Sequence, residues 1–145
     1  MSHEPVLNQI NLVVRNMDAA VAFYRRFGLK IEAAPGAFHA SARLPNGMVI
    51  EWDSVEFVRQ WDSGWNGATG GSTVLGFSVP TREAVDEIYT GLTAAGYGGH
   101  QPPYDAFWGA RYAIVDDPDG NSVGIMSPED PKRKFWPPAQ PPPGS

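Results

Sequence analysis

The chain has 145 residues, a formal net charge of −5 at pH 7 and no cysteine. This length suits one domain or two small modules that share a core, and the lack of cysteine excludes disulfides and thiolate chemistry. The acidic balance disfavours nucleic-acid binding, and no apolar stretch approaches the roughly 20 residues of a membrane span. Residues 1–5 lack the basic and apolar regions of a signal peptide. We therefore expect a cytoplasmic protein that binds neither nucleic acid nor membrane.

A first module is predicted over residues 6–53. It begins with a strand, since apolar and polar residues alternate over 6–14. Asn16 can then cap a helix whose apolar residues recur at helical spacing until Gly28. Three more strands are predicted at 29–33, 38–44 and 48–53, with a hairpin turn at Pro45-Asn46-Gly47 between the last two. The order is β-α-β-β-β.

Residues 54–72 form a linker between this module and the rest of the chain. One helical turn is predicted at 55–61, and glycine favours flexibility over 64–71. Two interpretations of the linker's aromatic residues stay open. They pack on a sheet edge, or Trp61 and Trp65 belong to a flap that covers a ligand, since loops on a rigid scaffold often carry binding residues.

The same order of elements returns over residues 73–127, which is an internal repeat. A strand at 73–79 leads into a helix that Thr81 caps and Gly96 ends. A short strand at 97–100 precedes a break at Gln101-Pro102-Pro103, and a hairpin follows. Its turn, Asp117-Pro118-Asp119-Gly120-Asn121, combines residues that preset or tolerate turn geometry, and the last strand is 122–126.

The tail, residues 128–145, is dominated by proline and is expected to be extended. Phe135 and Trp136 are the apolar side chains that could anchor it. The anchor site is either the chain's own domain or a second subunit.

The second hairpin is more specific than its turn. Trp108-Gly109, then Arg111-Tyr112-Ala113, then the Asp-Pro-Asp-Gly-Asn turn and a short apolar strand resemble the end of the vicinal-oxygen-chelate superfamily. That superfamily includes glyoxalase I, extradiol dioxygenases and the bleomycin-resistance proteins, and the Trp-Gly-x-Arg spelling is most similar to the last group. The resemblance implies an α+β fold of two βαβββ modules, each a cupped half-barrel sheet with its helix on the convex side.

In metal-dependent members of this superfamily, each module supplies a His or Gln from its first strand and a Glu from its last. Gln9 and Glu51 stand at these positions in the first module, but the second module has Val74 and Gly124 there. A catalytic metal site typically needs three protein ligands. His39 and His100 do not stand at expected ligand positions. The resemblance therefore predicts no metal or other cofactor. Gln9 is then a pocket-wall amide, and Glu51 pairs with an Arg or bonds to Gln9 or Asn11.

A binding groove remains as the main prediction. The bleomycin-resistance branch holds a flat drug between aromatic side chains of a dimer, and Phe38 and Trp108 resemble those residues, unless they are ordinary core or dimer packing. Val74 and Gly124 leave an apolar, roomy floor, and Glu51 and Asp53 favour a cationic group on the ligand. The predicted ligand-binding residues are Phe38, Trp108, Gln9, Asn11, Glu51, Trp61, Trp65, Phe107, Tyr112 and Met126.

Two functions from different classes follow. The first is a non-catalytic protein that sequesters an aromatic, antibiotic-like compound. The second is a lyase, isomerase or dioxygenase that uses a divalent metal at Gln9 and Glu51, or Glu51 alone as general base. Because half-barrel sheets leave open edges, a symmetric homodimer is expected in either case.

Overall fold

The computed structural model describes residues 6–71 and 73–135, and the predicted α+β class is confirmed. The chain separates into two compact units: unit 1 is Met1–Gly71 with Pro118–Gly120, and unit 2 is Ser72–Asp117 with Asn121–Ser145. The elements of unit 1 are β1 (Gln9–Val14), α1 (Met17–Arg25), β2 (His39–Arg43), β3 (Val49–Ser54) and α2 (Val55–Trp61). Those of unit 2 are β4 (Val74–Ser78), α3 (Arg82–Ala94), β5 (Gly99–Asp105), β6 (Arg111–Asp116) and β7 (Ser122–Met126).

Helix α1 forms where the sequence predicts it. The Asn16 side chain accepts a hydrogen bond from a first-turn N–H at 3.0 Å, which satisfies one of the free donors of the helix start. The apolar side of α1 is buried, and its Tyr24 ring lies 5.3 Å from the ring of Trp52 on β3. Because side chains alternate along a strand, a Trp52 that points to α1 leaves Glu51 and Asp53 on the other face of the sheet.

The sheet of unit 1 has the order β1-β3-β2, with β1 parallel and β2 antiparallel to β3. The predicted strand at 29–33 is wrong, because only Glu32 forms a bridge, to Ser41. The Arg25 guanidinium donates to the Ile31 carbonyl at 2.9 Å and so takes an acceptor that a ladder would use. This sheet therefore has three strands instead of the expected four.

Helix α2 lies in the predicted linker, at the place where the sequence indicates a helical turn. The Ser54 hydroxyl caps it by accepting from the Phe57 N–H at 3.2 Å. Val58 is fully buried, whereas Trp61 in the last turn is 52% exposed. The helix thus buries Val58 in unit 1 and presents the Trp61 ring to solvent.

Unit 2 repeats this architecture with one more strand, in the order β4-β7-β6-β5. Thr81 caps α3 as predicted, its hydroxyl accepting from the Ala84 N–H at 3.1 Å. Val85 and Leu92 are the buried residues of this helix. Strand β4 runs parallel to β7, and β7 and β6 form the predicted hairpin.

Strand β5 corrects the predicted break at Gln101-Pro102-Pro103. The strand runs through all three residues, with register shifts against β6 on both sides of Gln101. Because β5 is an edge strand, its outer side needs no ladder partner, and irregular edge positions are where strands accept proline.

The C-terminal segment begins on unit 2. The Asp130 N–H donates to the Gly109 carbonyl at 3.0 Å, and the Phe135 N–H donates to the Phe107 carbonyl at 2.9 Å. Trp136, the other predicted anchor, lies outside the described residues. None of the described helices is long and apolar enough to cross a bilayer.

Candidate functional site

Five polar side chains share one face of the unit 1 sheet. The parallel register places Asn11 opposite Glu51, and the antiparallel register places His39 opposite Asp53. Gln9, two residues before Asn11, lies on the same face. The other face carries the apolar core beneath α1, so strand alternation alone gathers two carboxylates, two amides and an imidazole in one place.

Glu51 is the centre of this cluster. Its Oε1 accepts hydrogen bonds from the amides of Gln9 and Asn11, each at 3.1 Å, as one of the predicted alternatives has it. Its Oε2 lies 3.9 Å from His39 Nε2, and the side chain is 21% exposed. The amides thus hold Oε1 in place and leave Oε2 able to accept from a ligand.

Asp53 is the buried member of the cluster, with 1% exposure. A carboxylate without water needs hydrogen-bond partners, or its burial is costly. Asn11 donates to its Oδ2 at 2.8 Å, and His39 Nδ1 lies 2.6 Å from its Oδ1. Asp53 therefore fixes the position of both side chains and, through Asn11, of the Glu51 carboxylate.

His39 is the residue that the sequence interpretation missed, since it was set aside as lying away from the expected ligand positions. A signal was present in the Pro45-Asn46-Gly47 turn. That turn fixes the hairpin register, and counting outward from it pairs Arg43 with Val49 and His39 with Asp53. The same count puts His39 on the face of Glu51 and Asp53.

These side chains line a cleft of about 460 Å³. Phe57 and Trp61 of α2 complete its wall, and the Phe57 ring lies 5.6 Å from the imidazole of His39. The cleft thus combines two carboxylates and two amides with aromatic surface. Such a combination can hold a flat group by contact with the rings and a cationic group by the carboxylates.

The geometry of the cleft shows how well its side chains would fit a metal ion, and the predicted absence of a metal stays a prediction. One ligand atom each from His39, Glu51 and Asp53 lies within 4.8 Å of the others, close enough to surround one ion. The superfamily's own ligand set fits less well, since Val74 and Gly124 of unit 2 have no donor atom. The residues present therefore fit a metal only through His39, a ligand that the family pattern does not include.

The predicted aromatic contacts of unit 2 form a cluster of their own. The Trp108 ring lies 5.2 Å from Phe107 and 5.3 Å from Tyr112, both edge-to-face, and the Trp108 N–H points to the Met126 sulfur at 3.2 Å. Trp108 lies in the loop between β5 and β6, where these rings and the Met126 side chain half-bury it, and its predicted contact with a ligand stays a prediction. Burial raises the pKa of Tyr112 above its usual value, and Tyr104 adds to the effect.

The roomy floor expected at Gly124 is also absent. A side-chain carbon at Gly124 would lie 2.6 Å from the Tyr112 hydroxyl, so the tyrosine occupies that space. The sequence could not show this, because it depends on which way the Tyr112 ring turns across β7.

Phe38 and Trp65 do not line the cleft of unit 1. Phe38 is 65% exposed, and its carbonyl accepts from the Ser54 N–H at 2.8 Å. Trp65 donates its ring N–H to the Ala68 carbonyl at 3.2 Å and lies under the Arg59 guanidinium. Their predicted contacts with a ligand stay predictions.

Arg111, the arginine of the Trp-Gly-x-Arg motif, has a structural role. Its guanidinium donates to Asp86 on α3 at 2.9 Å and to Asp105 on β5 at 3.2 Å, and Asp105 also pairs with Arg82. These partners outweigh burial and raise the pKa of Arg111. Partial burial raises the pKa of the Asp105 carboxyl, but the hydrogen bond from Arg111 and the charges of both arginines hold it below its usual value. The network ties α3 to the sheet.

Comparison with known proteins shows which family this chain resembles in sequence and in fold. The model of the Glyoxalase/Bleomycin resistance protein/Dioxygenase superfamily matches residues 6–125. A glyoxalase/bleomycin resistance protein/dioxygenase family enzyme from Burkholderia phytofirmans PsJN is 25% identical, with a TM-score of 0.72 over 83% of this chain and 97% of that one. A glyoxalase-related enzyme from Fulvimarina pelagi is 25% identical, with a TM-score of 0.74 over 85% and 88%.

A third solved structure shares the fold alone. It is a lactoylglutathione lyase from Agrobacterium tumefaciens, 20% identical, with a TM-score of 0.63 over 87% of this chain and 96% of that one. A comparison with curated proteins finds no match.

Proposed function

We propose a non-catalytic function for this chain, which belongs to the Glyoxalase/Bleomycin resistance protein/Dioxygenase superfamily. The protein binds and sequesters a small aromatic, antibiotic-like compound that carries a cationic group. The site is the cleft of unit 1. The observation that carries this proposal is the combination, in one cleft, of the Glu51 and Asp53 carboxylates with the rings of Phe57 and Trp61.

Charge supports a cationic ligand. The described lining residues include two acidic side chains and neither Lys nor Arg, and His39 hydrogen-bonds to one of the carboxylates. Glu51 keeps an Oε2 that no hydrogen bond within the described residues occupies. An ammonium group placed there gains a charge-assisted hydrogen bond, which is stronger than a neutral one.

Trp61 supports an aromatic ligand. Its ring is half exposed at the end of α2 and borders the carboxylates. Contact between aromatic rings contributes about 0.5–1.5 kcal/mol beyond the area that it buries, and a cation near the ring face gains about as much.

The test is calorimetric titration of the protein with phenethylamine and with 2-phenylethanol, which have the same ring but differ in charge. We expect the amine to bind and the alcohol to bind at least about tenfold more weakly, since a hydrogen bond to a charged group contributes roughly 1.5–3 kcal/mol. Glu51→Gln should remove the preference, and Trp61→Ala should weaken both ligands while Trp61→Phe retains most of the affinity. The matched control is Glu129→Gln, which removes an exposed carboxylate of unit 2 and should leave the preference for the amine unchanged. Equal binding of amine and alcohol contradicts the proposal.

A metal-dependent enzyme is the second candidate, and the His39–Glu51–Asp53 cluster is the observation that favours it. A divalent ion held by these three residues would supply Lewis-acid chemistry of the kind that lyases, isomerases and dioxygenases use. Without an ion, Glu51 is the residue placed to act as general base. Metal content of protein purified without chelator decides between the candidates: stoichiometric metal in the wild type and its loss in His39→Ala favours the enzyme.

We also propose that the chain forms a homodimer. Each described sheet has two outer strands, and apart from the Glu32–Ser41 bridge their outer edges form no ladder. Edge strands are commonly covered by a second copy. Light scattering should give twice the chain mass of 15.7 kDa. A mass equal to one chain contradicts this assembly.

A further inference from the structure

A second cleft adjoins the first on unit 1. It has a volume of about 510 Å³ and shares Gln9 and Glu51 with the first, so these two side chains form the wall between them. Its other lining residues include Lys30 and Arg43. The proposed function uses only the acidic and aromatic cleft, and the two basic residues of this neighbour, which lie there with Glu32 and Glu51, have no part in it.

Strand β2 sets the order of charges along the sheet. Every second residue of β2 lies on the same face of the sheet, and on this face these residues are His39, Ser41 and Arg43. Their partners on β3 are Asp53, Glu51 and Val49, in that order. Arg43 therefore lies past Glu51, about 7 Å further along the strand from Ser41, at the rise of two residues. The face runs from the acidic and aromatic end at His39, through Glu51, to a basic end at Arg43.

The two basic side chains are free to bind an anion. Within residues 6–71 and 73–135, neither Lys30 nor Arg43 takes part in an ion pair, although Glu32 and Glu51 line the same cleft. The two amides already hold Glu51 by its Oε1, and its Oε2 lies 3.9 Å from His39 Nε2. A guanidinium offers a planar pair of donors to a carboxylate or phosphate, and a lysine ammonium adds a second positive charge.

We propose that the two clefts are one extended site for an amphoteric ligand. Its ring and cationic group occupy the first cleft, and an oxyanion at the other end of the ring lies between Lys30 and Arg43. This inference rests on the proposed function, since it needs the cationic group to bind at Glu51 and Asp53. It names the ligand class more closely: an aromatic compound with opposite charges at its two ends.

The experiment compares phenethylamine with its para-carboxylate by calorimetric titration of the full chain. The two probes share the ring and the amine and differ only in the oxyanion. We expect the carboxylate form to bind about 3- to 10-fold more tightly, as two partly solvated charge contacts allow. This preference should shrink as salt is raised, since exposed charges are screened.

The double variant Lys30→Gln/Arg43→Gln should still bind phenethylamine, which shows that it is folded, and should lose the preference for the carboxylate form. The control Lys132→Gln/Arg133→Gln removes the same charge from exposed positions of unit 2 and should leave the preference unchanged. Equal affinities in the wild type, or a preference that survives in the double variant, overturn the extended site while the proposed function stands. Binding of neither probe overturns both.

Discussion

Units 1 and 2 have the same topology but opposite chemistry on the corresponding face. In each, a first strand runs parallel to the last, and the strand before the last is antiparallel to it. The shared register allows comparison position by position. His39 corresponds to Tyr112, Asn11 to Gly76, Glu51 to Gly124, and Asp53 to Met126.

The difference shows that side chains, and not the topology, make the site. In unit 1 the four positions hold a hydrogen-bonded cluster beside an open cleft. In unit 2 the Tyr112 ring turns across Gly124 and joins the aromatic cluster around Trp108. Gly124, at the position that corresponds to Glu51, has no carboxylate to bind a ligand, and the space that its side chain would need is filled by Tyr112. One fold therefore carries a charged binding face and an apolar packed face, in line with the general separation of fold and function.

The largest expected effect compares two glycines that lie three residues before His39 and Tyr112. Gly36 and Gly109 both have positive φ, +70° and +94°. No atom lies near the side-chain position of Gly36, whereas that of Gly109 is blocked by the Asp130 carbonyl. Gly36→Ala should cost about 1 kcal/mol of backbone strain. Gly109→Ala should cost about 3 kcal/mol, because overpacking adds to the strain.

Urea unfolding of both variants measures this difference. Equal losses of stability in Gly36→Ala and Gly109→Ala would mean that the C-terminal segment at Asp130 moves away freely. That result would contradict the interpretation that the Trp108-Gly109 turn holds the C-terminal segment in place.

The next effect concerns the buried carboxylate of unit 1. His39→Leu leaves Asp53 with Asn11 as its partner, and an underpaired buried carboxylate should cost about 2 kcal/mol. His39→Leu/Asp53→Leu replaces both members by apolar groups, as in unit 2, and should recover part of that loss. Denaturant midpoints of the wild type and the two variants give the answer. A double variant less stable than the single one would show that Asp53 does not depend on His39.

A smaller effect is expected for the glycines that face each other across β4 and β7. Gly124→Ala forces the Tyr112 hydroxyl to shift and should destabilise by about 1 kcal/mol. Gly76→Ala is the matched control, because no atom lies within 4 Å of its side-chain position. It should be neutral or slightly stabilising, since alanine restricts the unfolded chain. A thermal scan separates the two, and an unchanged Gly124→Ala would show that Tyr112 does not fill this space.

Much of the fold could be predicted from sequence because its signals are local. Asn16 and Thr81 mark helix starts by their own side chains, and the hairpin that begins at Trp108-Gly109 resembles the superfamily whose model matches this chain. The misses depend on other parts of the chain. The strand at 29–33 is reduced to one bridge, and β5 passes through two prolines only because it is an edge strand. Assignment to the bleomycin-resistance branch stays a prediction, since the comparisons support the superfamily as a whole.

The site was only partly predictable for the same reason. Gln9, Asn11 and Glu51 were named from the resemblance and from strand alternation, and Trp61 was named from its place in the linker. The structure gathers all four in one cleft. His39 required the hairpin register, and Phe57 required the direction of α2, which no local pattern gives. The filling of the Gly124 space by Tyr112 required a side-chain orientation.

The smallest expected effect concerns the ion pairs of Arg82, Asp86, Asp105 and Arg111 in unit 2. The charged face of unit 1 has no matching network among the described residues. Arg82 and Arg111 hold the pKa of Asp105 below its usual value, although burial acts against them. A carboxyl whose pKa is lowered by folding stabilises the protein above its unfolded pKa, near 3.8, and this contribution is lost as pH falls through the folded pKa. Asp105 is largely exposed, so Asp105→Asn should cost less than about 1 kcal/mol at pH 7. Its stability should converge with that of the wild type as the pH falls through the folded pKa of Asp105. If urea midpoints show a constant gap from pH 7 down through this range, the ion pairs of Asp105 do not contribute, and α3 is held to its sheet by the Arg111–Asp86 pair and by the buried Val85 and Leu92.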